Sequence, residues 1–326
     1  MTAVATERFQ IRPCPACGSA DFDNRFKAGD YMLGLEGDFS VGACRRCGLL
    51  YQNPSLRPEY LGPHYPDDYG PYAVEEWDIG RTVRWHLKHR QGYSHLEAPG
   101  SLGFLRRKWG ELNSAFLLLP DFRREGRVLE IACASGNRLS LLRRLGWSDC
   151  EGIEYSPDSA GKARARGFTV HTGRVEDCLD ALPDGGLDAI VASFVLEHLE
   201  NPFQVAARAA GKLRAGGQFL FSTPNIDSLD FRIYRRYWYD LDLPRHFTFF
   251  RKRDLFRMLE GHFRIERIAY QAAANDWIGS AKYRARHESR LLDKLILMAG
   301  QRIQPACRFL ALLGLTSRIF IHARKV

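Results

Sequence analysis

The 326-residue sequence has no run of eighteen uninterrupted apolar residues, so no membrane-spanning helix is expected. Its opening stretch, MTAVATERFQIRPCPACG, lacks an apolar signal core, and a cytoplasmic location is expected. There is no internal repeat and no low-complexity tract. Nowhere does the three-glycine turn of dinucleotide sites occur, which argues against NAD or FAD. Acidic residues become scarce toward the end: residues 281–326 hold ten Lys or Arg and two Asp or Glu. That surplus of eight is nearly the whole formal net charge of +9. A basic surface attracts phosphate, nucleic acid or anionic lipid, unless it is an ordinary solvated face.

What is present is an ordered composition, 45% hydrophobic and 26% charged. Four of the eight cysteines have metal-ligand spacing: Cys14 and Cys17 in CPACG, Cys44 and Cys47 in CRRCG. Two such knuckles bring four thiolates into a tetrahedron, which suits a structural Zn2+ with no open position. Iron fits the same ligands. Gly18 and Gly48 relax the two turns. The segment between the pairs reads as a ribbon of short strands, giving a zinc-ribbon module over residues 1–50. It carries no dense array of basic and aromatic residues, so nucleic-acid binding is not expected of it.

Residues 51–120 read as a linker and helical cover. The stretch Tyr51–Tyr72 is broken by prolines, and its tyrosines are placed to cover a ligand. Trp77–Leu119 reads as two helices separated near LEAPGS. From Arg127 the rhythm changes: RVLEIA, CEGIEY, FTVHTG, LDAIVASFV and GGQFLFSTP are strands alternating with helices. Ser156 is placed to cap a helix that starts at Pro157. FRIERIAYQAA and SRIFIHARKV supply two more strands, the last expected at the sheet edge. The reading is α/β, a mostly parallel seven-stranded sheet with helices on both faces, spanning 121–326 with inserts at 226–250 and 275–315.

Ligands of such sheets bind beyond the carboxyl ends of the strands. EIACASGNR lies there. The small residues Ala132, Ala134, Ser135 and Gly136 let a ligand approach the backbone. Glu154, at the tip of the next strand, is placed to accept a ribose diol. Glu176 or Asp177, after the third strand, is placed near an adenine amino group.

In order along the chain, EIACASG, GIEYSP, GRVED, VLEHLENP, LRAGGQFLFSTPN and HFTFF resemble the class I S-adenosylmethionine-dependent methyltransferases, of the type that modifies sugars, lipids or natural products. Some members carry a similar zinc ribbon. The resemblance implies a Rossmann-like fold and S-adenosylmethionine as cofactor. It implies that Glu130, Ala132, Ala134 and Gly136 hold the methionine part, Glu154 the ribose, Glu176 or Asp177 the adenine side, and that Phe194 and Val195 face the sulfonium. The family has glycine where Ala132 and Ala134 stand. Alanine fits if its φ is negative, so cofactor binding is expected to survive. His246 is the first candidate base and His198 the second. Asn225, Tyr239 and Arg245 are candidate substrate contacts, and Arg235 and Arg236 weaker phosphate contacts. The expected acceptor is a small molecule, at oxygen or carbon. The alternatives are a non-catalytic zinc protein with a degenerate cofactor site, or an RNA methyltransferase. Against the last, SFVLEHL stands where an NPPY-type segment is expected.

The late insert, SRLLDKLILMAGQRIQPACRFLALLGL, reads as two apolar helices interrupted at Pro305. Packing against the sheet or in a homodimer is the plain expectation. Peripheral membrane contact through residues 288–315 is a second, and a cover over the substrate pocket a third.

Overall fold

The computed structural model describes residues 7–65, 73–288 and 290–326. Its N-terminal part contains β1 (Phe9–Gln10), β2 (Phe22–Ala28), β3 (Phe39–Cys44), β4 (Leu50–Gln52) and β5 (Ser55–Leu56). Helices α1 (Arg81–Arg90) and α2 (Phe104–Phe116) follow, on either side of LEAPGS. Then β6 (Arg127–Ile131), α3 (Asn137–Arg144), β7 (Asp149–Glu154), α4 (Pro157–Ala165), β8 (Thr169–Thr172), α5 (Val175–Ala181), β9 (Leu187–Ser193), α6 (Pro202–Lys212) and β10 (Leu213–Pro224) alternate. After β10 come α7 (Leu229–Tyr234), β11 (Thr248–Phe249), α8 (Lys252–Leu259) and β12 (Phe263–Gln271). The chain closes with α9 (Ala274–Ala285), α10 (Leu291–Ala299), α11 (Gln304–Leu312) and β13 (Arg318–Lys325).

The central sheet has seven strands in the order β12-β13-β10-β9-β6-β7-β8. The five from β10 to β8 run parallel, while β13 is antiparallel to both neighbours. The chain winds outward in both directions from the β6–β9 pair, which is the switch point where such sheets bind ligands. Successive residues of the central strands feed opposite cores: Leu129 and Ile190 face one, Val128 and Ala189 the other. The Ser156 hydroxyl accepts from the Ser159 N–H at 3.3 Å and Pro157 opens α4, as the sequence indicates.

Two expectations change. The terminal strand β13 lies inside the sheet, not at its edge. Ile319–Ala323 are five successive buried residues, which an edge strand would leave partly open. β12, with Arg264 and Glu266 exposed, takes the edge instead. Nor does residue 50 mark a physical break after the ribbon. β4 passes through it and pairs with β11 from the distant insert, Thr248 opposite Tyr51 and Phe249 opposite Leu50. Ribbon and insert share one core, with Phe39, Val41 and Leu50 among Phe231, Trp238 and Trp277. Arg245 pins the same junction. Fully buried, it donates to both oxygens of Asp30 at 2.9 Å, to the His64 carbonyl at 3.0 Å and to Asp242 at 2.6 Å.

Candidate functional site

The four ribbon cysteines converge. The Cys14–Cys47 and Cys17–Cys44 sulfurs lie 3.5 Å apart, and all four lie within 4.8 Å of one another. Bonds of about 2.3 Å from a tetrahedral zinc would set sulfur–sulfur separations near 3.8 Å. The two knuckles are alike: the Gly18 N–H donates to the Cys14 carbonyl and the Gly48 N–H to the Cys44 carbonyl, both at 2.8 Å. Both glycines are left-handed, at φ 72° and 75°. The donor set fits one zinc held by Cys14, Cys17, Cys44 and Cys47.

At the end of β6 the chain bends back on itself. Ala132 has φ 55°, Ala134 φ 48° and Gly136 φ 79°. The alanines therefore do not keep the negative φ expected of them. They occupy the left-handed region that glycine would fill, at a cost of roughly 1–2 kcal/mol each. The reason is what the bend must reach. The Ala134 N–H donates to Glu154 Oε2 at 2.9 Å, and the Ser156 N–H donates to Oε1 at 2.8 Å. Glu154 is thus a buried carboxylate fixed at the tip of β7 by two backbone donors. The bend also needs Gly152 bare: a Cβ there would stand 2.3 Å from the Cys133 sulfur.

Glu130, in β6, is buried and accepts from Arg138 Nε at 2.8 Å. Its Oε2 has no partner. Burial pushes its pKa up to about 7 against the pull of Arg138. Arg138 also lies over the Trp77 ring, 5.3 Å from its centroid. The linker closes over the bend: Ser135 Oγ and Asn137 Nδ2 both donate to the Ala73 carbonyl at 2.9 Å. Glu176 is half-buried at the start of α5, whereas Asp177 is exposed. Phe194, at φ 51°, and buried Val195 follow β9, and Phe194 packs edge-on against Phe320. A buried carboxylate oxygen without a partner, beside a second carboxylate with fixed orientation, suits a ligand carrying an ammonium and a diol. That fits S-adenosylmethionine.

Beyond β9 the structure brings His198 and His246 together, ring centroids 4.5 Å apart. Burial lowers the pKa of His198 to about 3 and that of His246 below its ordinary value, so both rings are neutral at pH 7. Glu197 beside them is buried, and burial raises it to about 8. Sequence reasoning passed over Glu197 and Arg138; only the position of Glu197 next to His198 signalled it.

The remaining candidates are placed as follows. Asn225 is buried, its Nδ2 donating to the Thr316 carbonyl at 2.9 Å and its Oδ1 accepting from the Asp227 N–H. Arg245 serves the ribbon junction described above. Tyr239 is half-buried, stacked on Tyr283 and lying over Gly279. Arg235 and Arg236 are exposed. Of the linker tyrosines, Tyr65 places its hydroxyl 3.1 Å from His198 Nδ1, while Tyr69 and Tyr72 lie outside the described residues.

Strand order, bend and acidic strand tip together decide the architecture. The fold is that of a class I methyltransferase. Residues 102–262, just under half of the chain, match the family described as "Methyltransferase domain". Among curated proteins, a ribosomal protein L11 methyltransferase from Burkholderia vietnamiensis is 32% identical over 96 residues, 29% of this chain and 31% of that protein. A trans-aconitate 2-methyltransferase from Mycolicibacterium gilvum is 31% identical over 117 residues, 35% of this chain and 45% of that protein. The chain thus spans less than half the length of these two relatives. Among solved structures, geranyl diphosphate C-methyltransferase from Streptomyces coelicolor A3(2) superposes with a TM-score of 0.50 at 14% identity, covering 83% of this chain and all of that one. At that identity the likeness concerns the fold.

Proposed function

We propose that this methyltransferase-fold chain transfers a methyl group from S-adenosylmethionine to a hydroxyl or acidic carbon of a small molecule such as a sugar, lipid or secondary metabolite. The observation that carries the reading is the bend at the switch point, where the Ala134 N–H fixes Glu154 and Glu130 keeps one buried oxygen open. S-adenosylmethionine supplies a methyl already activated on a sulfonium. The chain's own residues bind and align. Glu154, held by two N–H groups, offers its remaining lone pairs to the ribose diol. Glu130 Oε2 accepts from the ammonium. Glu176, half-buried, suits the adenine side better than exposed Asp177. Phe194 and Val195 form an apolar wall that excludes water from the sulfonium. The unprotonated ring nitrogens of His198 and His246 take the acceptor's proton when no metal ion is held there. That acceptor side is buried, which favours a small molecule over an RNA or a folded protein. Calorimetric titration with S-adenosylmethionine tests the reading: saturable heat that Glu154→Gln weakens by tenfold or more supports it, and no heat at millimolar cofactor overturns it.

A second observation concerns where the protein works. In α10 and α11, Asp293, Ile296 and Cys307 are buried, while Leu291, Leu295, Met298, Phe309 and Leu312 are exposed. These helices therefore turn most of their apolar surface outward instead of packing it on the sheet. The face continues onto α2, whose Phe104, Leu105 and Trp109 are exposed, and Arg308 lies over the Trp109 ring at 5.7 Å. Arg106, Arg107, Lys108, Lys294 and Arg302 flank it, all exposed. No helix of the described residues is long and apolar enough to cross a membrane. Exposed apolar side chains ringed by cations suit the surface of an anionic bilayer, which we propose as the partner. Flotation with phosphatidylglycerol vesicles, lost in a Leu105→Asp, Leu312→Asp variant, is expected. Equal failure of wild type and variant to float, with a dimer in light scattering, would assign the face to a second copy.

A further inference from the structure

Next to the candidate acceptor site, three side chains with metal-ligating atoms converge. Glu197, His198 and His246 each offer one ligand atom, and these atoms lie within 4.8 Å of one another. Both histidine tautomers are set by the same device. Nδ1 of His198 lies 3.1 Å from the Arg245 carbonyl, and Nδ1 of His246 lies 3.0 Å from the Asp240 carbonyl. A carbonyl can only accept, so each Nδ1 carries the hydrogen, shared at His198 with the Tyr65 hydroxyl oxygen 3.1 Å away, and each Nε2 keeps its lone pair. A backbone carbonyl behind the ring is the outer support that metal-bound histidines ordinarily have. Neither carboxylate oxygen of Glu197, 1% exposed, makes a hydrogen bond of ordinary geometry, and the side-chain donor that acts on it is the buried Thr223 hydroxyl. Two imidazole nitrogens and a carboxyl group thus converge beside the candidate acceptor site.

We propose that Glu197, His198 and His246 bind one divalent transition-metal ion, distinct from the four-cysteine centre. Two imidazoles and a carboxylate suit Zn2+, Mn2+ or Fe2+, whereas Mg2+ and Ca2+ prefer oxygen alone. Three protein ligands leave coordination positions open, the pattern of catalytic rather than structural sites. Asp242 lies 3.8 Å from His246 Nε2, but its oxygens already accept from Arg245, so it adds charge from outside the ligand set. The ion's role in turnover rests on the methyl-transfer reading; the binding site does not. With a hydroxyl acceptor, an ion held by these three residues would supply Lewis-acid chemistry that lowers the pKa of the acceptor oxygen. The hydroxyl proton would pass to a water molecule, the O–CH3 bond would form as the S–CH3 bond breaks, and the sulfonium would become a neutral thioether. With the ion bound, the histidines act as ligands and not as the direct base.

The test is metal stoichiometry. Protein stripped with chelator, re-supplied with Zn2+ and desalted should hold two zinc ions per chain by elemental analysis. Glu197→Gln and His246→Ala should each hold one. Cobalt substitution separates the centres: the cysteine site gives intense thiolate charge-transfer bands in every variant, while the second equivalent adds weak visible bands that both variants lose. Glu197→Gln keeps the shape of the side chain, so a folded sample is available even if His246→Ala misfolds. One ion per chain in the wild type, or two in a folded Glu197→Gln, overturns the site. The two readings fail separately. Cofactor binding with one metal retires the second ion alone, and two metals without cofactor binding retires the methyl-transfer reading alone.

Discussion

Ala134 donates its backbone N–H to Glu154 Oε2 across 2.9 Å, and does so from a left-handed φ of 48°. The bond therefore comes with backbone strain that a glycine would not carry. Relief of about 1–2 kcal/mol is partly offset by the extra unfolded-state freedom of glycine, about 0.5–1 kcal/mol. Ala134→Gly and Ala132→Gly are each expected to leave the melting temperature unchanged or raise it by a few degrees, with cofactor affinity retained. Ala134→Val, whose branched side chain tolerates this region poorly, should lower it. Thermal unfolding of the three variants checks the order; an Ala134→Gly protein less stable than the valine variant would contradict the strain.

Glu130 makes the ligand-free fold sensitive to pH. Burial raises its pKa to about 7, above its ordinary unfolded value of about 4.5. Between those values the folded state holds a proton that the unfolded state has released, so stability must fall as pH rises. This contribution is full below about pH 4.5 and gone above about pH 7. Urea unfolding at a series of pH values should show the decline in the wild type and lose it in Glu130→Gln. An ammonium-bearing cofactor favours ionised Glu130, so the decline should shrink when S-adenosylmethionine is present.

How much of this was open to sequence reasoning depends on how far apart the partners lie. The knuckles, the Ser156 cap and the alternating strands are local, and each is written within a few residues. Glu154 was readable because its role follows from sitting at a strand tip. The conformation of Ala132 and Ala134 was not, because it is imposed from the neighbouring strand, by the acceptor at Glu154 and by the Cys133 sulfur lying over Gly152. The interior place of β13 depends on which strands flank it, and its own apolar run fits either place. Arg245 looked like a substrate contact for the same reason. Its partner Asp30 lies 215 residues away, and nothing near either residue announces the other.

Removing the metal from the ribbon should be felt far from the cysteines. Structural zinc contributes roughly 10–16 kcal/mol of apparent binding energy in small modules, energy that is also folding energy. Here β4 pairs with β11 of the insert, and Arg251, just after the insert, donates to the Gly48 carbonyl at 2.7 Å. Chelation, or Cys44→Ser, should therefore open the 226–250 insert to proteolysis along with the ribbon, while the β6–β9 half of the sheet stays protected. Mass mapping of early cleavage sites decides it; cuts confined to residues before 50 would show the two parts to be uncoupled.

The Arg245 junction yields the most discriminating stability experiment, because a buried ion pair and a broken one have opposite consequences. Arg245 faces two carboxylates, Asp30 and Asp242, and burial of its guanidinium is tolerated because both accept from it. Replacing it with methionine leaves Asp30 buried with only His64 and the Leu33 N–H as partners. Breaking a buried pair in this way costs about 3–5 kcal/mol. Arg245→Met should therefore lose several kcal/mol in urea unfolding, as should Asp30→Leu. The double variant removes Asp30 together with Arg245 but leaves Asp242 without its donor, so it should recover only the part of the loss that belongs to the Arg245–Asp30 pair. If the two losses simply add, the ribbon is held to the insert by the packing of Phe39, Val41 and Trp238, and the ion pair couples nothing.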